Sequence, residues 1–360
     1  MSVGMKKIII FIAATALLGG GVLFYAFKSE RKVTVDNKKV LARGDVSGAG
    51  SPSPSSVDFS ENPLTGQKCA RGNKRPMAVM LAVDTVTRPL YGVSKADVAV
   101  EMPALTNGIT RFMVLFSCEE PEEIGSIRSA RHDFLPFARS FDAIYAHWGG
   151  SYLALDLFNK KVLDNLDALP NPHDAFYRRS DKLPPHNGFT SFARLSAAAE
   201  KLGYRPESQA ASYPRIKDEA ALSANQNISI GYPYPYNVDF TYDYKTNSYK
   251  RFRGNEKEID VGDQNQVEVK NVIIMTAESR QVSPDYNDVD VEGEGKLAVY
   301  RNGEVIKGKW KRAEEKYELN SKEDGKYYFL DAEGREIGLV EGKIWISVVQ
   351  PNQKVELTFK

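Results

Sequence analysis

Cysteine is almost absent from this chain of 360 residues, which has only Cys69 and Cys118. Two cysteines exclude a disulfide-dense scaffold and a four-cysteine zinc site. An excess of one charge is missing too. Lys and Arg total 48 against 47 Asp and Glu, a formal net charge of +1. The basic stripe of a nucleic-acid binder is therefore lacking, and no nucleic-acid partner is expected. Histidine is scarce: His132, His147, His173 and His186 include no His-x-x-x-His pair. With no Cys-x-x-Cys either, no metal and no other cofactor is expected. A Gly-x-Ser-x-Gly elbow and a Gly-x-x-x-x-Gly-Lys phosphate loop are also absent, so the balance leans against an enzyme.

Long apolar runs are nearly missing, and the one present indicates the compartment. Lys6 and Lys7 precede an uncharged stretch from Ile8 to Phe27, about 20 residues and long enough to cross a hydrocarbon core as a helix. A cleavable signal peptide begins in the same way. Phe24, Tyr25 and Phe27 resemble an interfacial aromatic belt, and no clean small-x-small cleavage pattern follows, which favours an uncleaved single-pass anchor. Lys28, Arg31, Lys32, Lys38 and Lys39 oppose export under a literal positive-inside rule, but long downstream domains translocate largely regardless of such charge. The folded body is expected outside the cell membrane. Residues 29–62, with a Gly, Ser and Pro-rich stretch from Gly44 to Ser56, cannot bury a core and read as a disordered spacer.

What remains is globular in composition, 42% apolar and 26% charged. At roughly 150 residues per domain this length predicts about two domains. The pattern suggests an α+β protein: a mixed, layered α/β domain over 63–205, a connection over 206–235 and a mostly antiparallel β domain over 236–360. Strands are expected at Met77–Val83, Ala143–Trp148 and Val267–Met275, with a hairpin turning at Asn107-Gly108. Helices are expected at Ser129–Ser140, capped by Ser129 and shortened by Pro136, at Ser151–Asn159, and at Ser191–Leu202. Further hairpins are predicted around Asn302-Gly303 and Ala332-Glu333-Gly334. Alternating tyrosines from Tyr242 onward suit cross-strand pairs better than a sugar-stacking platform.

Three ordered motifs carry a resemblance: Ile124-Gly-Ser-Ile-Arg-Ser-Ala-Arg131, Phe141-Asp-Ala-Ile-Tyr-Ala-His-Trp-Gly-Gly150 and Pro184-Pro-His-Asn-Gly188. With Phe240-Thr-Tyr-Asp-Tyr244, Asn271-Val-Ile-Ile274 and Gly342-Lys-Ile-Trp-Ile346, they resemble the YerB-like family of bacterial envelope lipoproteins over about residues 62 to 350. The resemblance implies two domains of unknown function and no established catalytic residue. Family members are typically lipidated on a cysteine at the signal junction. Leu17-Leu18-Gly19-Gly20-Gly21 has none here, which strengthens the transmembrane-anchor reading.

The candidate site gathers around these motifs. Arg128 and Arg131 flank the expected cap at Ser129, where a helix N-terminus already favours an anion. His147 stands at the end of a strand, and Gly149-Gly150-Ser151 turns the chain into the next helix. Such strand-to-helix turns often open on one sheet edge, where α/β proteins bind ligands. Arg178, His186 and Asn187 lie in loops able to reach the same edge. Together these residues suggest a site for a carboxylate or phosphate, on a membrane-tethered protein that binds an anionic ligand, a cell-wall component or an envelope partner. The alternatives are an envelope hydrolase or transferase using His147 and His186 with Ser151 as nucleophile, and a docking protein whose arginines are internal scaffolding. Cys69 and Cys118 are placed to form a disulfide if their strands are neighbours.

Overall fold

The computed structural model describes residues 59–104, 109–221, 224–284, 286–312 and 325–359. The apolar stretch from Ile8 to Phe27, the spacer from Gly44 to Ser56 and the Asn107-Gly108 turn lie outside them. Among the described residues, no helix is long and apolar enough to cross a membrane.

Strands dominate. The first half supplies β1 (Met77–Leu81), β2 (Val98–Pro103), β3 (Thr110–Phe116), β4 (Ile144–His147) and β5 (Asn165–Asp167). Next come β6 (Gln226–Ile230), β7 (Val238–Asp243) and β8 (Ser248–Arg253). The rest are β9 (Asn271–Thr276), β10 (Gly293–Arg301), β11 (Glu304–Arg312), β12 (Tyr328–Asp331), β13 (Ile344–Val349) and β14 (Val355–Phe359). Strands of both halves join one ten-stranded mixed sheet in the order β12-β11-β10-β9-β13-β2-β3-β1-β4-β5. The halves meet where β13 pairs parallel with β2, Trp345 opposite Ala99. A second, antiparallel sheet runs β8-β7-β6-β14, and smaller pairings, one of them parallel between Arg215–Ile216 and Leu339–Val340, complete the body.

The register follows from side-chain alternation. β1 reads Met-Ala-Val-Met-Leu with every residue buried, the continuous apolar run of a strand covered on both faces. Met77, Val79 and Leu81 enter one core cluster, Ala78 and Met80 the other. Helices α1 (Leu135–Ser140) and α2 (Tyr152–Asn159) bury Leu135, Phe137 and Ala154 in the second cluster. Helix α3 (Phe192–Lys201) and the second sheet bury Phe192, Leu195, Ile228 and Phe240 in the first.

The hairpin between β10 and β11 turns at Asn302 and Gly303, whose φ of 52° and 76° are those of a type I′ turn. Tyr242 and Tyr249 stand opposite each other on β7 and β8 with ring centroids 4.9 Å apart.

Three expectations need correction. The helix from Ser129 is shortened: a 3-10 turn at His132–Phe134 leads into α1, which starts at Leu135 without a side-chain cap. Residues 127–130 are extended instead, because Ile127 donates to Gly188 O, Arg128 to Met80 O and Ala130 to Gly149 O. Ser129 therefore caps nothing. The run Val267–Met275 divides at Lys270, Glu268–Val269 pairing with β8 and β9 joining the large sheet. Residues 206–235 contain β6, whose alternation of buried and half-buried residues fits its place between β7 and β14. Cys69 and Cys118 are joined by a disulfide with their Cα atoms 5.5 Å apart.

Candidate functional site

The extended segment 127–131 is threaded between strand ends, and this fixes the arginines. Arg128 O accepts from Trp148 N, and Ile127 N donates to Gly188 O. The Trp148 indole packs on Gly188 so closely that a Cβ there would lie 2.5 Å from the ring, so only glycine fits. Arg178, exposed, lies over that indole at 4.2 Å and donates from Nη1 to Asn187 Oδ1 at 2.7 Å. His186 sits close enough to Arg128 that burial first and this cation second lower its pKa. Its Nδ1 is buried without a partner among the described residues. Arg128, Arg178, His186 and Asn187 are therefore brought together around Trp148.

Behind them lies a second tier of cations. Arg111, on β3, donates from Nη1 to Ser129 O at 2.9 Å. Burial, then repulsion from Arg131 and Arg128, depresses its pKa to about 9. Arg131 is 9% exposed, lies over Tyr286 at 5.0 Å and donates from Nη1 to Ala130 O, and burial lowers its pKa as well. Asp84 lies 3.4 Å from Arg128 Nη2, and Asp133 is the carboxylate that acts on Arg131. Among the described residues, Nε of Arg128 and Nε of Arg131 have no hydrogen-bond partner. The cluster is short of negative charge.

His147 and Ser151 belong to the segment paired with residues 128–130, Ser151 N donating to Ala130 O, but both side chains are buried. The His147 ring is completely buried and stacks on Phe158 at 4.6 Å. Its Nδ1 donates to Gly149 O at 2.8 Å, and Nε2 faces the Asn165 side-chain amide at 3.2 Å. Burial holds the imidazole below its ordinary pKa against the pull of Asp167. Ser151 is buried, and its Oγ accepts from Ala154 N to cap α2. A histidine enclosed in this way and a serine spent on a cap leave no paired base and nucleophile facing solvent.

One histidine stands in a different setting. His132 Nε2 is 3.1 Å from Asp133 Oδ1 and 3.2 Å from Asp288 Oδ1. The three donors lie within 4.8 Å of one another, a set able to hold a divalent ion. Asp133 is buried, its carboxyl pushed up to about 6 by desolvation, and its Oδ1 also accepts from Val289 N. Histidine spacing along the chain gives no sign of this set, because Asp288 is 156 residues away.

Sequence reasoning missed Arg111, Asp84 and Trp148. The signal for Arg111 was a lone cation inside the apolar run Thr-Arg-Phe-Met-Val-Leu-Phe of β3.

Residues 64–205 match the family model described as "Protein of unknown function (DUF3048) N-terminal domain", and residues 228–346 match its C-terminal counterpart. The chain is 31% identical over 296 residues to the Bacillus subtilis (strain 168) protein described as "Putative lipoprotein YerB". That alignment covers 80% of this chain and 85% of the relative. The chain belongs to the DUF3048 family. The crystal structure of the Bacillus subtilis YerB protein superposes with a TM-score of 0.72 at 28% identity, covering 82% of this chain and 99% of that one. The two family segments divide near residues 205 and 228, yet residues 56–360 form one compact unit whose large sheet draws strands from both.

Proposed function

We propose that this DUF3048 protein is an extracytoplasmic binding protein of the cell envelope, held at the membrane by its N-terminal apolar segment. It takes an anionic ligand or an anionic cell-wall partner at the cluster of Arg128, Arg131, Arg178, His186 and Asn187, with Arg111 behind. The observation that carries this reading is the charge imbalance: three guanidinium groups, Arg111, Arg128 and Arg131, cluster with the carboxylates of Asp84 and Asp133, and Asp133 already faces His132. A buried or half-buried cation without a partner is costly, and an anionic oxygen held by charge-assisted hydrogen bonds removes that cost.

The compartment is supported by three facts. The relative is described as a lipoprotein, the chain begins with a membrane-length apolar run, and a disulfide closes its first strands, a bond that persists in oxidising surroundings. No cysteine precedes Cys69, so the proposed tether is the apolar segment rather than a lipidated cysteine.

The topology is tested by adding protease to intact protoplasts. Removal of the body with a small membrane-bound remnant agrees with the proposal, and a protected body contradicts it. Binding is tested by salt-dependent retention of the protein on purified envelope fractions.

A further inference from the structure

Segment 84–90 faces two ways. Asp84 meets Arg128 on one side. On the other, Thr85, Arg88, Pro89 and Leu90 wall a cavity of about 450 Å³, closed opposite by Tyr234, Pro235, residues 253–254 and residues 256–259. We propose that this cavity is a second ligand site, taking a small organic molecule with one terminal anionic group, a phosphate or a carboxylate, on a ring-bearing apolar body. The inference does not depend on the arginine cluster around Trp148.

The anionic end follows from donors that have nothing to donate to. Arg88 is fixed by two backbone carbonyls, Nε donating to Val83 O at 3.0 Å and Nη1 to Pro235 O at 2.8 Å, and it lies over the Tyr236 ring. Its Nη2 is buried with no partner among the described residues. Arg253, only 4% exposed, is engaged at Nη2 by Glu101 and at Nη1 by Thr110, and its Nε faces Glu258 Oε1 at 3.7 Å. The two cations oppose each other: burial, then repulsion from Arg253, pulls Arg88 down to about 10. Glu101 and Glu258 are already occupied by Arg251 and Arg253. That leaves Arg88 and Lys257 on the cavity wall with Glu256 as the remaining carboxylate. An anionic oxygen in the cavity supplies the acceptor that Arg88 Nη2 lacks.

The rest of the wall suits the body of such a ligand. Pro89, Leu90, Pro235 and Ile259 are apolar, and the Tyr234 ring stands 74% exposed at the cavity. Exposed tyrosine beside proline offers a rigid amphipathic face for a ring. The volume falls within the range of roughly 300 to 1,000 Å³ usual for small-molecule sites.

The test is calorimetric titration of the purified body with phenyl phosphate, benzoate, inorganic phosphate and phenyl β-D-glucoside. The proposal predicts saturable binding of phenyl phosphate or benzoate, at least tenfold tighter than inorganic phosphate or the glucoside, and the tighter of the two anions identifies the headgroup. Arg88→Ala should weaken that binding about tenfold or more, the usual cost of one charge-assisted bond. Thr85 is exposed, so Thr85→Glu keeps the fold and places a repelling carboxylate at the cavity; it should cause a similar loss even if Arg88→Ala fails to fold. No saturable binding of either anion, equal binding of the glucoside or of inorganic phosphate, or unchanged binding in Thr85→Glu would overturn the proposal. Envelope retention through Arg128 is read separately, so either site can fail without the other.

Discussion

Glu101 on β2 and Arg251 on β8, 150 residues apart in the chain, form an ion pair in which neither side chain is exposed. Arg253 engages the same carboxylate, Thr110 donates to it at 2.7 Å, and the Arg251 guanidinium lies 4.1 Å over the Trp345 ring. Burial alone would raise the Glu101 pKa, but Arg253 and Arg251 hold it below the ordinary range. The pair ties the second sheet to the large one. Glu101→Gln leaves two buried cations short of charge, so stability should fall by about 3–5 kcal/mol in urea unfolding. A loss below about 1 kcal/mol would show that the carboxylate does not compensate them.

The disulfide is expected to contribute in a different way, through the unfolded chain. It joins residues 49 positions apart, and closing such a loop removes unfolded-state entropy. Replacing Cys69 and Cys118 together by serine should cost about 2–4 kcal/mol. Equal unfolding midpoints for the variant and for the oxidised protein would show that the bond does not form.

Asp97 predicts a pH dependence with a definite sign. Burial pushes its carboxyl from 3.8 up to about 6, although Cys118 N and Ser117 N donate to it and Lys343 is near. Between about pH 4 and pH 6 the folded state therefore binds more protons at this site than the unfolded chain. Its contribution to stability is fully present below about pH 4 and is lost as the pH rises through 6. Asp97→Asn has no such titration. Relative to the parent, the variant should gain stability from pH 4 to pH 6.5 by up to about 3 kcal/mol, since each tenfold change in proton affinity is worth about 1.4 kcal/mol. A difference that stays flat with pH would contradict the assignment.

Ser151 separates a cap from a nucleophile. Its Oγ accepts from Ala154 N at the start of α2, so Ser151→Ala should lower stability by about 1 kcal/mol. Envelope retention per folded molecule should not change. A variant of normal stability that loses function would return Ser151 to chemistry.

The sequence made some of this legible, and the reasons are local. The fully apolar run at β1, the Asn302-Gly303 turn and the alternation at β7 are written in consecutive residues, and the structure has them in place. Ser129 misled because a serine before an apolar run resembles a cap, while hydrogen bonds to Met80, Gly149 and Gly188 hold its neighbours extended. His147 misled for a related reason: its place at a strand end was readable, but its enclosure by Phe158 and Asn165 depends on packing from α2 and β5. Arg128, Arg178 and His186 were read from their motifs as one site, and the Trp148 ring beside Arg178 went unnoticed. Pairings such as Glu101 with Arg251 and His132 with Asp288 span 150 and 156 residues and leave no local trace.

The central claim is that the cations around Trp148 bind an anionic envelope component. It is tested most directly by comparing the parent, Arg128→Ala and Arg178→Ala for retention on purified envelope fractions at low and high salt, with thermal unfolding measured on the same samples. Each truncation should weaken low-salt retention by roughly 10- to 150-fold, the cost of one charge-assisted bond of about 1.5–3 kcal/mol, and retention of the parent should fall as salt rises. Unfolding temperatures should stay close to the parent's, because Arg178 is exposed and Arg128 is paired with the half-buried Asp84 at 3.4 Å. A sharp drop in unfolding temperature for both variants, with unchanged retention per folded molecule, would contradict the claim and make the arginines internal scaffolding.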